Sequence, residues 1–171
     1  MPKDKDGKMR ELKAYWQGWC LDQLHRRYEG VCAYTSLYIP RSTGARSIDH
    51  YVAKSSAIEH AHCWSNFRLA CTKMNGRKGT FDDLLDPFTL APETFHLELL
   101  TDKVLPNLAL PEDLRQQAQT TIDRLGLNDG DCWQDRLEYF DDYRNKHIDE
   151  AYLKKRCPFV WYEVRRQKLE V

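Results

Sequence analysis

Residues 47–79 read SIDHYVAKSSAIEHAHCWSNFRLACTKMNGRKG, and this segment contains side chains of four functional types. Asp49 supplies a hard carboxylate oxygen, and His50 supplies an imidazole that can take up a proton near neutral pH. Asn66 and Asn75 supply amides, and two cations follow the second asparagine. We interpret this ordered set as a candidate site for metal-assisted attack on a phosphodiester, because each part of that chemistry has a matching residue type.

Residues 48–52 alternate apolar and polar side chains, which is the period of a β-strand. Neighbouring side chains on a strand point to opposite faces, so Asp49 and His50 should diverge unless the strand ends there. A turn at residues 53–56 would remove that constraint. Asp49 suits Mg²⁺ or a similar ion, which usually takes one or two protein carboxylates and keeps several waters. His50 can accept a proton from an attacking water.

The segment at residues 64–71 is predicted to begin a helix, with Ser65 or Asn66 as the N-cap. Apolar side chains follow at helical spacing, and glycines suit the end of the helix. Asn75 then lies near that end. It can project toward the strand that carries Asp49 if helix and strand pack together.

The ordered set resembles the HNH (ββα-metal) nuclease family. The motifs that carry the resemblance are CAY at 32–34, IDH at 48–50 with KS at 54–55, WxNxxLAC at 64–71 and NxxKG at 75–79. The resemblance covers residues 31–80. In that family, two antiparallel strands and one helix hold a single divalent metal ion. Asn75 stands at the last motif position, where histidine is more usual, so the chain resembles an H-N-N variant.

The resemblance implies a role for each motif residue. His50 would be the general base, and Asn66 would hold the loop that fixes the His50 backbone. Asp49 and Asn75 would ligate one Mg²⁺ or Mn²⁺ ion per active site. The implied activity is metal-dependent endonucleolytic hydrolysis of DNA, with RNA as an open alternative, and the products would carry a 5′ phosphate and a 3′ hydroxyl. Candidate nucleic-acid contacts are the basic residues of the region: Arg46, Lys54, Arg68, Arg77 and Lys78.

Many members of this family also carry two Cys-x-x-Cys knuckles that hold a structural zinc ion. Here the corresponding tetrads are CAYT at 32–35 and CTKM at 71–74, so each keeps one cysteine. Threonine and methionine are poor zinc ligands. We therefore predict no structural zinc, with an apolar core around Cys32, Cys71 and Met74 in its place.

The six cysteines are scattered without Cys-x-x-Cys spacing, which fits reduced thiols in a cytosol better than a disulfide framework. Cys63, His60 and His62 form an alternative zinc-ligand set, but the histidines also fit an exposed linker between strand and helix. No apolar run approaches the length of a membrane span, and no secretory signal is visible at the start. We expect a cytoplasmic protein without membrane contact.

The formal net charge is zero across 171 residues. Free-standing DNA-binding proteins are usually basic, because neutralisation of phosphates supplies much of the affinity. The charge balance therefore counts against tight autonomous DNA binding. It does not exclude local basic patches or a partner that delivers the nucleic acid.

The remaining patterns predict an α+β fold, mainly helical, in a single compact domain. Residues 1–30 are assigned to an N-terminal helix with an apolar stripe at residues 8–29, and residues 31–80 to the nuclease core. Residues 81–171 are assigned to a helical extension packed on that core. Within the core, residues 31–39 are expected to form the first strand, onto which the strand of Asp49 pairs back.

Residues 80–92, at the start of the extension, are predicted to form an acidic loop. Residues 94–99 alternate strictly and predict a strand, with residues 104–105 pairing back. A helix is predicted from Pro111 to a stop at Gly126. One long helix is then predicted from a cap near residues 128–131 as far as Arg156, followed by a short last helix after Pro158.

A second, looser resemblance involves Asp86-Pro87, TIDRLGLN at 121–128 and Arg136. In these motifs the chain is similar to small bacterial HNH proteins that are encoded beside large ATPases in anti-phage systems of the Septu type, including retron-linked versions. This resemblance implies a cytoplasmic antiviral-defence nuclease gated by a partner ATPase. Two alternatives stay open: a stand-alone restriction or homing endonuclease, and a catalytically inactive HNH scaffold that binds nucleic acid or acts as an adaptor.

Overall fold

The computed structural model describes residues 17–43, 45–56, 58–60 and 62–169. In chain order the elements are α1 (residues 17–27), β1 (Arg46–His50), β2 (Phe67–Cys71), α2 (Thr72–Lys78), β3 (Phe95–Glu98), β4 (Lys103–Pro106), α3 (Glu112–Leu125), α4 (Gly130–Arg144), α5 (Glu150–Arg156) and α6 (Pro158–Arg166). β1 pairs with β2 and β3 pairs with β4, both antiparallel. Helices together with two small antiparallel sheets confirm the predicted α+β class.

The helix predicted at residues 64–71 is wrong, because this segment forms a short 3₁₀ turn, Trp64–Asn66, followed by β2. A short apolar run is compatible with either a strand or a helix. Here the backbone groups of the run are satisfied by pairing with β1, and all but the last residue of β2 are buried. The helix begins instead at Thr72, so the chain order is strand, strand, helix.

Residues 31–39 form a tight turn and not the predicted first strand. One bridge, between Val31 and Tyr38, links the two sides of this turn. The amide of Ala33 donates to the Leu69 carbonyl at 2.8 Å and so attaches the turn to β2. β1 therefore pairs with β2, which corrects the predicted hairpin between residues 31–39 and β1.

The β3–β4 hairpin and α3 confirm the elements predicted for residues 94–126. The register pairs Leu97 with Val104, and both side chains are buried. Asp102 lies in the turn between the strands with a positive φ of 50°. α3 ends where Gly126 adopts the left-handed conformation that commonly closes a helix.

The single long helix predicted as far as Arg156 is wrong, since two helices occupy this segment. α4 ends at Arg144, and Lys146 then takes a positive φ of 60°, which interrupts the helical path. The side chain of Asp149 accepts a hydrogen bond from the Tyr152 amide and caps α5. α6 is present as the predicted last helix, with proline in its first turn.

One cluster of buried hydrophobic side chains contains members from all three predicted segments, including Cys20 and Leu24 from α1 and Leu69 and Met74 from the middle segment. Residues 8–16 of the predicted N-terminal helix lie outside the described residues, whereas residues 17–27 are helical. All six cysteines are free thiols. Within the described ranges, no helix has the length and apolar character needed to cross a membrane.

Candidate active site

His50 closes β1 and lies on the face of the β1–β2 hairpin that contacts α1. Its ring contacts the Phe67 ring edge to face, with 4.9 Å between the ring centroids. Both rings line a cleft of about 500 Å³ together with Lys54, His62 and residues of α1. The cleft places an imidazole near a lysine and a second histidine, a combination suited to an anionic substrate.

Asp49 points to the opposite face of β1, as alternation along a strand requires. It is 2% exposed, and the Tyr34 hydroxyl donates to its Oδ2 at 2.5 Å. The ammonium of Lys78 lies 3.6 Å from its Oδ1. Burial raises the pKa of Asp49, while Tyr34 and Lys78 act in the opposite direction. Both oxygens of this carboxylate are thus engaged inside the protein.

Lys78 and Arg68 are buried cations, which corrects their predicted role as phosphate contacts. Lys78 is 0% exposed and donates to the His50 carbonyl at 3.0 Å. Arg68 is 3% exposed and forms two hydrogen bonds with the Asp86 carboxylate, at 2.9 and 2.7 Å. Neither side chain reaches a surface where nucleic acid can contact it. Lys78 instead compensates the carboxylate of Asp49 in β1, and Arg68 compensates that of Asp86.

The other three predicted nucleic-acid contacts are at least partly exposed. Lys54 is exposed in the turn after β1 and lines the cleft of His50. Arg46 is paired with a carboxylate of α1 at 2.7 Å. Arg77 donates to two carbonyls at the end of α3 and to the carboxylate of Asp129. Of the five predicted contacts, Lys54 is the one that the structure brings to the cleft.

Asn66 holds the loop between β1 and β2 through three side-chain hydrogen bonds. Its Oδ1 accepts from the Val52 amide at 2.7 Å, and its Nδ2 donates to the carbonyls of Val52 at 2.9 Å and His60 at 3.2 Å. The Asn66 carbonyl also accepts from the Tyr51 amide at 2.9 Å. We call this set of bonds the Asn66 clamp. It fixes the backbone that directly follows His50.

Asn75 lies in α2 on the side that packs against β1. Its Nδ2 donates to the Ser47 hydroxyl oxygen at 3.1 Å and to the Ile48 carbonyl at 3.2 Å. Ser47 and Asp49 share a face of β1. The structure therefore places both predicted metal ligands on one side of β1 and the predicted base, His50, on the other.

The donor types of Asp49 and Asn75, one carboxylate and one amide, suit a hard divalent cation. Their arrangement does not fit one, because the Asp49 carboxylate is buried and engaged, and a metal ion beside it would meet the like charge of Lys78. In the parts of the chain that the structure describes, no group of three or more His, Cys, Asp or Glu side chains is arranged to hold a metal ion. Metal binding at Asp49 requires its carboxylate to separate from Tyr34 and Lys78.

The four residues at the zinc-knuckle positions lie in the core beside β2. Cys71 is the last residue of β2 and occupies the N-cap position of α2, and Met74 is buried within α2. The Cys71 amide donates to Cys32 Sγ at 3.4 Å. Hydrogen bonds from the Cys71 thiol and the Thr35 hydroxyl lower the pKa of the Cys32 thiol, although burial opposes them. Cys32 and Cys71 are thus in direct contact, with Thr35 and Met74 beside them.

Three residues make contacts in this region that the sequence did not indicate. Tyr34 belongs to the motif, but a tyrosine in an apolar turn gives no local signal of its bond to Asp49. His62 is exposed, as a linker residue should be, and yet it lines the cleft of His50. Asp86 reaches Arg68 from a loop 18 residues further along the chain, and no local pattern predicts that contact.

Three residues of the looser resemblance form hydrogen bonds inside the protein. Thr121 accepts a hydrogen bond at 3.0 Å from an amide of the acidic loop. The side chain of Asn128 accepts from the Val104 amide and donates to its carbonyl, at 2.8 and 2.9 Å. Arg136 donates to backbone carbonyls and is buried. These three positions support the fold, because their side chains bond to the backbone of neighbouring loops and strands.

Comparison of the chain with protein-family models gives no match, and comparison with curated proteins gives none either.

Proposed function

We propose that the chain is an endonuclease of the HNH type that hydrolyses phosphodiester bonds of DNA, with His50 as the general base. One observation carries the proposal: His50 lies in a cleft with Lys54 and His62, and the Asn66 clamp fixes the backbone behind it. The strand–strand–helix order of β1, β2 and α2 supports the proposal, because the resemblance implies the same order.

Hydrolysis at this cleft begins with neutral His50, which removes a proton from a water molecule as the water attacks phosphorus. The ammonium of Lys54 stabilises the charge that develops on the phosphate oxygens. His62 lines the same cleft and can donate a hydrogen bond to the same anion. The bond from phosphorus to the leaving oxygen then breaks, and that oxygen takes a proton from solvent.

A divalent metal ion would neutralise charge on the phosphate and on the leaving oxygen. The resemblance assigns this ion to Asp49 and Asn75, but Asp49 does not fit it while Tyr34 and Lys78 occupy the carboxylate. The requirement for Mg²⁺ or Mn²⁺ stays a prediction, and chelation with EDTA tests it directly.

A catalytically inactive HNH scaffold that binds nucleic acid or acts as an adaptor is the second candidate. The burial of Asp49 beneath Tyr34 and Lys78 favours it, since a carboxylate removed from solvent supplies no metal site. A stand-alone restriction or homing endonuclease is less well supported, because a net charge of zero gives little autonomous affinity for DNA.

A partner ATPase and a role in bacterial anti-phage defence complete the proposal. They rest on the looser resemblance and on the net charge of zero, which suits a subunit that receives nucleic acid from a partner. DNA cleavage that appears only after the ATPase encoded beside the chain is added would support this part. Equal cleavage with and without that ATPase would contradict it.

Plasmid cleavage tests the proposal as a whole. The wild-type chain and His50→Ala are compared with Mg²⁺, with Mn²⁺ and with EDTA, each alone and with the neighbouring ATPase. Metal-dependent cleavage that is lost in His50→Ala supports the nuclease. Cleavage that persists in His50→Ala removes His50 as the base, and DNA binding without cleavage under every condition favours the inactive scaffold.

A further inference from the structure

A partly open, largely apolar cavity of about 300 Å³ lies away from the His50 cleft. Its walls come from the 31–39 turn, the acidic loop, the β3–β4 hairpin, α3, α4 and α6. Most of the lining is hydrophobic and includes Leu85, Leu90, Phe95, Leu125, Leu127 and Phe159. This volume is at the lower end of the range for small-molecule pockets, which are about 300–1,000 Å³.

Arg136 is the cationic residue of this lining, and it is 1% exposed. Its Nε and Nη2 donate to the Asp102 carbonyl at 3.1 and 2.7 Å, and Nη2 also donates to the Leu127 carbonyl at 2.9 Å. Nη1 donates to none of the described residues. No carboxylate in the described part of the chain forms an ion pair with this guanidinium.

The charge of Arg136 is therefore compensated by carbonyl dipoles and by carboxylates at longer range. Burial lowers the pKa of Arg136, which means that its surroundings disfavour the cation, and Asp102 and Asp135 act in the opposite direction. Asp102 is itself buried, and its Oδ1 has no hydrogen-bond partner. A guanidinium held in a low-dielectric wall without a direct counter-ion is a strong site for an anion.

We propose that this cavity binds a small amphiphilic monoanion, with its anionic oxygen on Arg136 Nη1 and its apolar body among the leucine and phenylalanine side chains. The guanidinium offers only the two N–H groups of Nη1, because Nε and Nη2 are committed to carbonyls. Glu93 lines the same cavity and accepts a hydrogen bond from the Tyr162 hydroxyl at 3.0 Å. A carboxylate in the wall disfavours ligands with more than one negative charge.

Octanoate and 1-octanol test the proposal as a matched pair, since they share an apolar chain and differ in charge. Titration calorimetry on the full chain should show saturable binding of octanoate, roughly tenfold tighter than that of octanol. Methyl NMR spectra should show the largest shifts at Val104 and Leu125, which line the cavity. Absence of saturable binding, equal affinity for the two probes, or shifts confined to other methyl groups would each overturn the proposal.

Two variants test whether the anionic group of the ligand binds at Arg136 and whether its apolar chain occupies this cavity. Arg136→Met should abolish the preference for octanoate over octanol. Arg136 also donates hydrogen bonds to the β3–β4 turn, so its replacement can disturb the fold. Ala91→Trp is therefore a second variant, which adds bulk at an exposed lining residue and leaves those bonds in place. Ala151→Trp, on an exposed face of α5 outside this cavity, is the matched control. Weaker octanoate binding in Ala91→Trp but not in Ala151→Trp is expected, and equal binding in both would count against the site.

Discussion

The side chains of Asp49 and His50 leave β1 on opposite faces of the hairpin, although the two residues are neighbours in the chain. Asp49 is held beneath Tyr34 and Lys78 on the side of α2, whereas His50 lines a cleft on the side of α1. The proposed base and the proposed metal ligand are therefore separated by the strand itself. Their roles can be tested one at a time.

Replacement of His50 by alanine should lower the rate of phosphodiester cleavage by about 100-fold or more, because loss of a general base typically has this effect. The fold should be retained, because the change removes a side chain that lines a cleft and leaves the backbone pairing of β1 with β2 in place. His60→Ala is the matched control, because His60 is exposed and contributes only its carbonyl to the Asn66 clamp. Cleavage rates and circular dichroism of both variants check this prediction, and equal rates would remove His50 from the mechanism.

Asn66→Ala should lower the free energy of unfolding by about 2–3 kcal/mol, since it removes three hydrogen bonds and leaves backbone groups of Val52 without partners. Cleavage should fall together with stability, because the clamp fixes the backbone after His50. Chemical denaturation gives the stability, and hydrogen exchange at the Val52 amide reports on the loop. Ser65→Ala is the control. Lost cleavage with unchanged stability and exchange would show that Asn66 acts directly on substrate.

Lys54→Ala should weaken DNA binding and reduce the salt dependence of binding by about one counter-ion, without changing the melting temperature. The reason is that Lys54 is exposed and lines the cleft of His50. Fluorescence anisotropy across a salt series measures both quantities. An unchanged salt slope would place the DNA elsewhere on the molecule.

Arg68→Met, unlike Lys54→Ala, should lower stability and leave DNA binding unchanged. The unfolding free energy should fall by about 3–5 kcal/mol, because the Asp86 carboxylate loses its buried partner. The double variant Arg68→Met with Asp86→Leu should recover part of that loss. Denaturation curves of the single and double variants check this prediction. A stable single variant with weakened DNA binding would restore Arg68 as a phosphate contact.

The double variant Thr35→Cys with Met74→Cys should bind about one zinc ion per chain, because it completes a set of four cysteines with Cys32 and Cys71. The wild-type chain, which lacks two of the four thiols, is predicted to bind none. Metal analysis after gel filtration and the rise in melting temperature on zinc addition measure the effect. A double variant that binds no zinc would show that the four side chains do not come close enough to ligate one ion.

Asp102→Asn should stabilise the protein at pH 7 and leave it unchanged below about pH 4. Burial raises the pKa of Asp102 from its ordinary value of 3.8 to about 6. Between about pH 4 and pH 6, Asp102 is therefore protonated in the folded state and ionised in the unfolded state. Wild-type stability falls as the pH rises through this range. That difference corresponds to up to about 3 kcal/mol at neutral pH. Denaturation from pH 4 to pH 7 should show this slope in the wild type and its loss in the variant.

Elements with strong local signals were predictable from the sequence. β1 follows from its alternating side chains, and α3 follows from Pro111 before its first turn and Gly126 at its end. The β3–β4 hairpin follows from strict alternation and a polar turn. In each of these elements, the decisive residues lie within a few positions of one another.

β2 was not predictable in this way, because a short apolar run takes its conformation from the strand beside it. The buried cations show the same limit. Lys78 follows an arginine near the end of a short helix, a pattern typical of an exposed basic patch, yet its ammonium lies against Asp49 in the interior. Contacts between residues so distant in the chain are set by tertiary packing and leave no trace in local composition.

The Asn66 clamp has a consequence for how this protein can change. The Asn66 side chain bonds to both Val52 and His60, near the two ends of the loop. Changes between these two residues should therefore not alter the register in which β1 pairs with β2. Lengthening such a loop costs little, because closure entropy grows slowly with length. Lys54 lies inside that segment and His62 just beyond it, and both line the cleft. We therefore expect that the sequence and length of this loop can change, by evolution or engineering, without loss of hairpin stability. Such changes would alter the residues that line the cleft and with them the substrate preference.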